Sequence, residues 1–205
     1  MPPVYHLPDL LSRHPLTLEE YLALDAASEH KWEYEDGHVY CLAGSTNDHA
    51  TIVQNLGFTL RQAIGNQDCR IMSESPKVLV SATKHYYPDL VVSCSPAEDG
   101  KDTAVRYPLL VAEVLSPSTE QHDKGIKLFA YQQVMSIQVI LLIATDEPCV
   151  TVYERSPEQQ NQWISQQYRP EAAQTSFSAL GRSLALADIY RYTSMALEES
   201  AEPDQ

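Results

Sequence analysis

Three ionisable residues stand where the surrounding sequence is building a core: Asp89 in "HYYPDLVV", Glu113 in "LLVAEVLS" and Lys127 in "HDKGIKLFAY". Asp89 follows a proline at the mouth of a strand-like run, although Pro-Asp is also a common way to begin a turn. Glu113 lies inside the most hydrophobic stretch of the chain. An unpartnered carboxylate is costly there, and a hydrogen-bonded structural acid is its plainer reading. The two acids fall on successive expected strands, which as neighbours would bring both carboxylates to one end of a sheet. Two such charges about 4 Å apart repel by roughly 4 kcal/mol at an effective dielectric near 20. One carboxyl then stays protonated unless a cation joins the pair. A divalent metal with oxygen ligands meets that need. Mg²⁺, with Mn²⁺ as a substitute, suits two carboxylates completed by waters and phosphate oxygens.

Lys127 is the candidate for the cationic side of such a site. On the helix expected over "TEQHDKGIKLFAYQQV" the apolar stripe is carried by Ile126, Phe129, Ala130 and Val134. Lys127 falls at the edge of that stripe beside Val134, with Tyr131 four residues on sharing its side. Lys124 lies about 60° further round and is expected to face solvent. A boundary lysine snorkelling over the core edge is the alternative. Two acids, a lysine and a metal would suit metal-assisted phosphodiester hydrolysis. The ion would lower the pKa of a bound water, and the lysine would position or deprotonate that water and offset developing charge.

The elements that must hold these residues can be read from patterning. Thr17 and Glu20 in "LTLEEYLALDAAS" have capping-box spacing, so a helix begins there. Asp36-Gly37 between "HKWEYE" and "HVYC" signals a tight hairpin. Ile52, Leu56, Leu60 and Ile64 recur every four residues from Asn47 or Asp48 to Gly65, an amphipathic helix ended by glycine. Strands are expected at "CRIMSES", "PKVLVS", "YPDLVVS", "PLLVAEVLS", "IQVILLIA", "CVTVYER" and, more weakly, "QWISQQYRP". A short strand and a terminal helix follow in "FSALGRSLALADIYRYT". Strands interleaved with helices argue for an α/β fold with a mixed sheet flanked by helices. The expected organisation is an N-terminal extension over 1–15, one domain over 16–195, and an acidic, disordered tail over 196–205.

Composition narrows the partners. The 205-residue chain carries 28 acidic and 14 basic residues, a formal charge of −14. It is therefore no general binder of polyanions, and contact with nucleic acid would need a confined basic patch. No apolar run reaches the length of a membrane span, and no signal-peptide pattern opens the chain, so a cytoplasmic location is expected. Cys41, Cys69, Cys94 and Cys149 form no C-x-x-C pair, and reduced, mostly buried thiols are expected.

In order, "YPDLVV", "LLVAEVLSPST" and "DKGIKLFAY" resemble the Uma-two type of restriction-endonuclease-like proteins, within the PD-(D/E)-x-K nuclease superfamily. The resemblance runs over roughly 16 to 192 and takes in the "YEDGHVY" hairpin, the histidine of "STNDHA" and the closing "LADIY". It implies a restriction-endonuclease-like fold and a metal-dependent endonuclease, with nucleic acid, DNA foremost, as substrate. It further implies that Asp89, Glu113 and the Val114 carbonyl hold the metal, and that a lysine on the following helix serves the site. Leu115 occupies the E-x-K lysine position of the parent motif, so the lysine is placed at Lys127. Glu33 matches an acid that often completes such sites, and His49 a histidine of the family. Each also reads as structural, Glu33 as a hairpin acid and His49 as a capping residue. A homodimer is plausible on the same grounds and could gather Arg61, Arg70 and Arg106 into one groove. The competing reading is a nuclease fold that no longer cuts and serves in binding or assembly. A third is a hydrolase of smaller phosphoesters.

Overall fold

The capping box forms as its spacing predicts. Thr17 Oγ1 accepts from the Glu20 N–H, and the Glu20 carboxylate takes the Thr17 N–H at 2.8 Å, opening helix α1 (Leu18–Ala27). Asp36 and Gly37 then both adopt positive φ, 47° and 93°, the twist that lets a two-residue turn join β1 (Trp32–Glu35) to β2 (His38–Cys41). Gly37 has a second constraint, because a Cβ there would meet Pro15 Cβ at 2.6 Å. Helix α2 (Asn47–Ile64) begins within the expected bounds, is capped by the Thr46 hydroxyl, and buries Ile52, Leu56, Leu60 and Ile64. The computed structural model describes residues 15–42, 44–73, 77–170, 174–177 and 180–197, with backbone only for 174–177. The expected N-terminal extension and acidic tail lie almost entirely outside the described residues.

The rest of the chain builds two mixed sheets where the patterning suggests one. The first holds β1, β2, β4 (Lys77–Ser81), β5 (Lys84–Tyr86) and β7 (Ala104–Val105) in the order β2-β1-β5-β4-β7. The second has the order β11-β10-β9-β8-β6-β3. Its members are β3 (Arg70–Ser73), β6 (Leu90–Ser93), β8 (Leu110–Val114), β9 (Val139–Ile143), β10 (Val150–Arg155) and β11 (Trp163–Tyr168). A small hairpin pairs β12 (Gln174–Phe177) with β13 (Arg182–Ala185), and the terminal helix α5 is only Leu186–Ile189. β5 and β7 are too short to leave an alternating pattern in the sequence.

β8 and β9 are buried at every position, as near-continuous apolar strands covered on both faces should be. Successive residues of β8 serve different cores. Leu110, Ala112 and Val114 pack with α2, whereas Val111 and Leu115 pack with Tyr86, Ala130 and Tyr131. Glu113 therefore projects into the second of these layers. Leu115, at the parent lysine position, is simply an apolar member of that layer.

Two expectations are corrected. Cys69 and Cys94 form a disulfide, and Cys41 and Cys149 remain thiols. The antiparallel pair β3–β6 sets Arg70 opposite Ser93, so the next residues outward, Cys69 and Cys94, face each other across the strands. Sequence spacing carries no trace of that register. The second correction concerns the helical segment after β8. It runs as α3 (Glu120–His122), a π-helical stretch Asp123–Lys127, and α4 (Leu128–Gln133). Ile126 and Phe129, expected in the buried stripe, are 50% and 66% exposed. The inward face is carried instead by Asp123, Lys127, Ala130 and Tyr131. Partnered charges below this helix offset the loss of burying two apolar side chains, which hydrophobic periodicity alone does not register.

Candidate active site

Asp89 and Glu113 are brought together by strand register. β6 and β8 run antiparallel with Leu90 opposite Ala112, so one step further Asp89 stands opposite Glu113 on the same face. Pro88, which has no N–H to offer a ladder, ends the strand at that step. Asp89 Oδ2 accepts the Val114 N–H at 2.7 Å. His49, in the first turn of α2, places Nε2 3.3 Å from the same oxygen. Burial works against a charge on that imidazole, but the Asp89 carboxylate and the Val114 carbonyl together hold its pKa above the usual histidine value.

Lys127 enters from the π-helical stretch and is 3% exposed. Its Nζ lies 2.8 Å from Glu113 Oε1, 3.0 Å from Glu33 Oε1 and 3.4 Å from Asp123 Oδ1. Burial disfavours the ammonium, yet Glu113, Glu33 and Asp123 around it raise its pKa well above the ordinary lysine range. The Tyr131 hydroxyl donates to Glu113 Oε1 at 2.7 Å. Burial pushes Glu113 up; Lys127 opposes this, and Asp123, Asp89 and Glu33 add to it, leaving the carboxyl well above its ordinary range. Lys124 is half exposed and pairs with Glu120 on the helix surface. Lys124→Ala is expected to leave stability within about 0.5 kcal/mol, read by urea unfolding, because an exposed i,i+4 pair contributes little.

Glu33 is fully buried and does not line the cavity. It stands behind Lys127, with Oε1 also accepting the Tyr87 N–H at 2.9 Å and Oε2 lacking a hydrogen-bond partner. The alternation of β1 sends Glu33 and Glu35 to one face. Glu35 accepts from the Tyr86 hydroxyl at 2.6 Å and meets His122 at 3.3 Å. Burial raises the Glu35 pKa, but those two contacts overcome it and leave the group below its usual value. Sequence reasoning missed Asp123, whose only signal is its i,i+4 spacing to Lys127. It also missed the Asp25–Lys77–Tyr87 cluster, whose members are remote in sequence.

These groups converge on a cavity of about 500 Å³, whose lining includes Lys31, His49, Asp89, Glu113, Val114 and Lys127. Hydroxyls of Thr46, Ser116, Ser118 and Thr119 complete its rim. Arg61 and Arg70, considered for a basic groove, line a separate cavity with Glu98, Asp99 and Asp102. They donate to the backbone oxygens of Cys69 and Glu98. Arg106 gives its N–H to the Glu98 carboxylate.

The donor set suits a hard divalent cation. Asp89, Glu113, Glu33 and Asp123 outnumber Lys127 and His49, so the cluster carries an excess of carboxylate, and one buried Glu33 oxygen is unpartnered. Among the described residues no three or more His, Cys, Asp and Glu side chains form a ready-made cage. No helix among the described residues is long and apolar enough to cross a membrane.

Comparison with known proteins gives the fold and the family. A crystal structure of a "putative nuclease belonging to DUF820" from Anabaena variabilis ATCC 29413 superposes with a TM-score of 0.69. It covers 86% of this chain and 98% of that one at 21% identity, which establishes a shared mixed α/β, nuclease-like fold. Two proteins of Synechocystis sp. (strain ATCC 27184 / PCC 6803 / Kazusa), "Uncharacterized protein slr1290" and "Uncharacterized protein sll1609", are each 30% identical to this chain. The alignments cover 86% and 80% of it and 92% and 93% of the relatives. Residues 18–187 match the Uma2 family, described as "Putative restriction endonuclease", and the chain belongs to that family.

Proposed function

We propose that this chain is a metal-dependent endonuclease that hydrolyses nucleic-acid phosphodiester bonds, with DNA as the expected substrate. The observation that carries the reading is the register that sets Asp89 against Glu113 at the cavity, with Lys127 2.8 Å from Glu113. Asp89, Glu113 and the Val114 carbonyl would hold Mg²⁺ or Mn²⁺. When bound, the ion supplies charge for the scissile phosphate and a water of lowered pKa. The Val114 N–H and His49 fix the Asp89 carboxylate. The Tyr131 hydroxyl and Lys127 fix Glu113. Lys127, lining the cavity and held as an ammonium by its carboxylate neighbours, positions the attacking water and offsets charge on the phosphate. Glu33 acts through Lys127, holding its ammonium from behind.

Metal titration tests the site directly. Mn²⁺ at about a hundred times its Kd should raise Tm by roughly 5–10 °C. The rise should vanish in Glu113→Gln, and plasmid DNA should be cut only with metal present. A Tm that ignores the ion in the unaltered chain would remove the metal from the mechanism.

The charge of −14 favours a second reading, a nuclease fold retained for binding or assembly without cleavage. Three buried or half-buried ionisable groups kept at one cavity weigh against it, since such groups are costly where no chemistry uses them. A homodimer remains part of the proposal, and size-exclusion chromatography with light scattering would test it.

A further inference from the structure

Asp25, near the end of α1, ties together two residues of the cavity wall that no catalytic role uses. The Tyr87 hydroxyl donates to Asp25 at 2.9 Å, and Lys77 holds the same carboxylate at 2.6 Å. The Trp32 N–H reaches Asp25 Oδ1 at 3.3 Å, which fixes the backbone immediately after Lys31. Lys31 Nζ stands 5.9 Å from the centre of the Tyr87 ring, within the range of a cation–π contact. Lys31 and Tyr87 both line the cavity that holds Asp89 and Glu113.

The charge of Lys31 is set apart from that of its neighbours. Lys77, Lys84, Lys124 and Lys127 each pair with a carboxylate. Among the described residues no carboxylate lies within ion-pair distance of Lys31, although Glu29 contributes to the same wall. In a chain of net charge −14, an ammonium held at the cavity without an acidic partner is where a polyanion would gain attraction. The cavity, at about 500 Å³, has room for a nucleotide-sized ligand.

We propose that Lys31, seated on Tyr87, is a strand-anchoring subsite that binds a phosphate of the nucleic-acid backbone flanking the one held at Asp89 and Glu113. This rests on the nuclease reading for its substrate class, but it concerns binding and not cleavage. Tyr87, braced by Asp25, sets the place of the lysine against the Pro88–Asp89 turn that follows it in sequence.

The test is fluorescence anisotropy of a fluorescein-labelled DNA oligonucleotide, single-stranded and duplex, in EDTA and across a salt series. Lys31→Ala should weaken binding about fivefold and lower the log–log salt slope by about 0.7 to 0.9, the signature of one lost phosphate contact. Lys31→Arg should retain both, and Lys101→Ala, a lysine outside this cavity, should leave both unchanged. Lys31→Gln gives the same readout should the alanine variant fold poorly. Equal affinity and slope for Lys31→Ala and the unaltered chain would overturn the subsite. So would an equal loss in Lys101→Ala, or no binding by the unaltered chain. Failure of the nuclease reading looks different: binding that depends on Lys31, with no metal-dependent cutting of any strand.

Discussion

Asp89→Ala is expected to reduce cleavage of plasmid DNA in Mn²⁺ by about 10³-fold or more while the chain stays folded. The size follows from the proposed role. A metal stabilises transition-state charge by several kcal/mol, and every 1.36 kcal/mol is a factor of ten in rate. The fold should survive because Asp89 stands at the end of β6, partly exposed, and its loss frees one N–H, that of Val114, and one contact with His49. Cleavage is read by supercoil relaxation, and folding by circular dichroism and Tm. A folded Asp89→Ala chain that cuts as fast as its parent would end the proposed mechanism. A chain that loses cleavage and Tm together would call for Asp89→Asn, which keeps the side-chain volume and a hydrogen-bond acceptor.

Lys127→Met should have the largest effect on stability, about 3–5 kcal/mol. The ammonium sits among Glu113, Glu33 and Asp123, all 4% exposed or less at the side chain. Removing it leaves buried carboxylates facing one another without a counter-charge. They must then ionise at high cost or bind protons. The midpoint of urea unfolding reports the loss. Adding Glu33→Gln to Lys127→Met should recover part of it by withdrawing one of the stranded charges. Full stability in Lys127→Met alone would show that the charge cluster is not held as described. The surface lysine three residues earlier is the contrast, since Lys124 makes a solvent-exposed pair with Glu120.

Much of this molecule is legible in order of residues. The Thr17–Glu20 capping box, the Asp36-Gly37 turn and the four-residue repeat of Ile52, Leu56, Leu60 and Ile64 are local signals, and each forms as patterned. They are readable because a cap, a positive φ or a helix face is decided by residues within a turn or two of one another. Glu113 stands out for the same reason, as a single charge in an apolar strand. The identity of the family is likewise carried by short motifs in a fixed order.

What the sequence could not decide is everything that depends on which strands meet. That Asp89 faces Glu113, and that Cys69 faces Cys94, follows from the two registers of β6, one against β8 and one against β3. Periodicity assigns Ile126 and Phe129 to the core, yet the helix turns Asp123 and Lys127 inward. The partners that make this possible, Glu33 and Glu113, arrive from two different sheets. Asp25, Lys77 and Tyr87 share no local pattern and meet only when α1 and strands β4 and β5 of the first sheet are in place. Sequence patterning was enough for most of the elements, though not for β5, β7 or the π-helical stretch, and for the acids that had to be accounted for and the family. Only the tertiary structure decided which charges became neighbours, because a buried charge is placed by partners remote in the chain and not by the residues beside it.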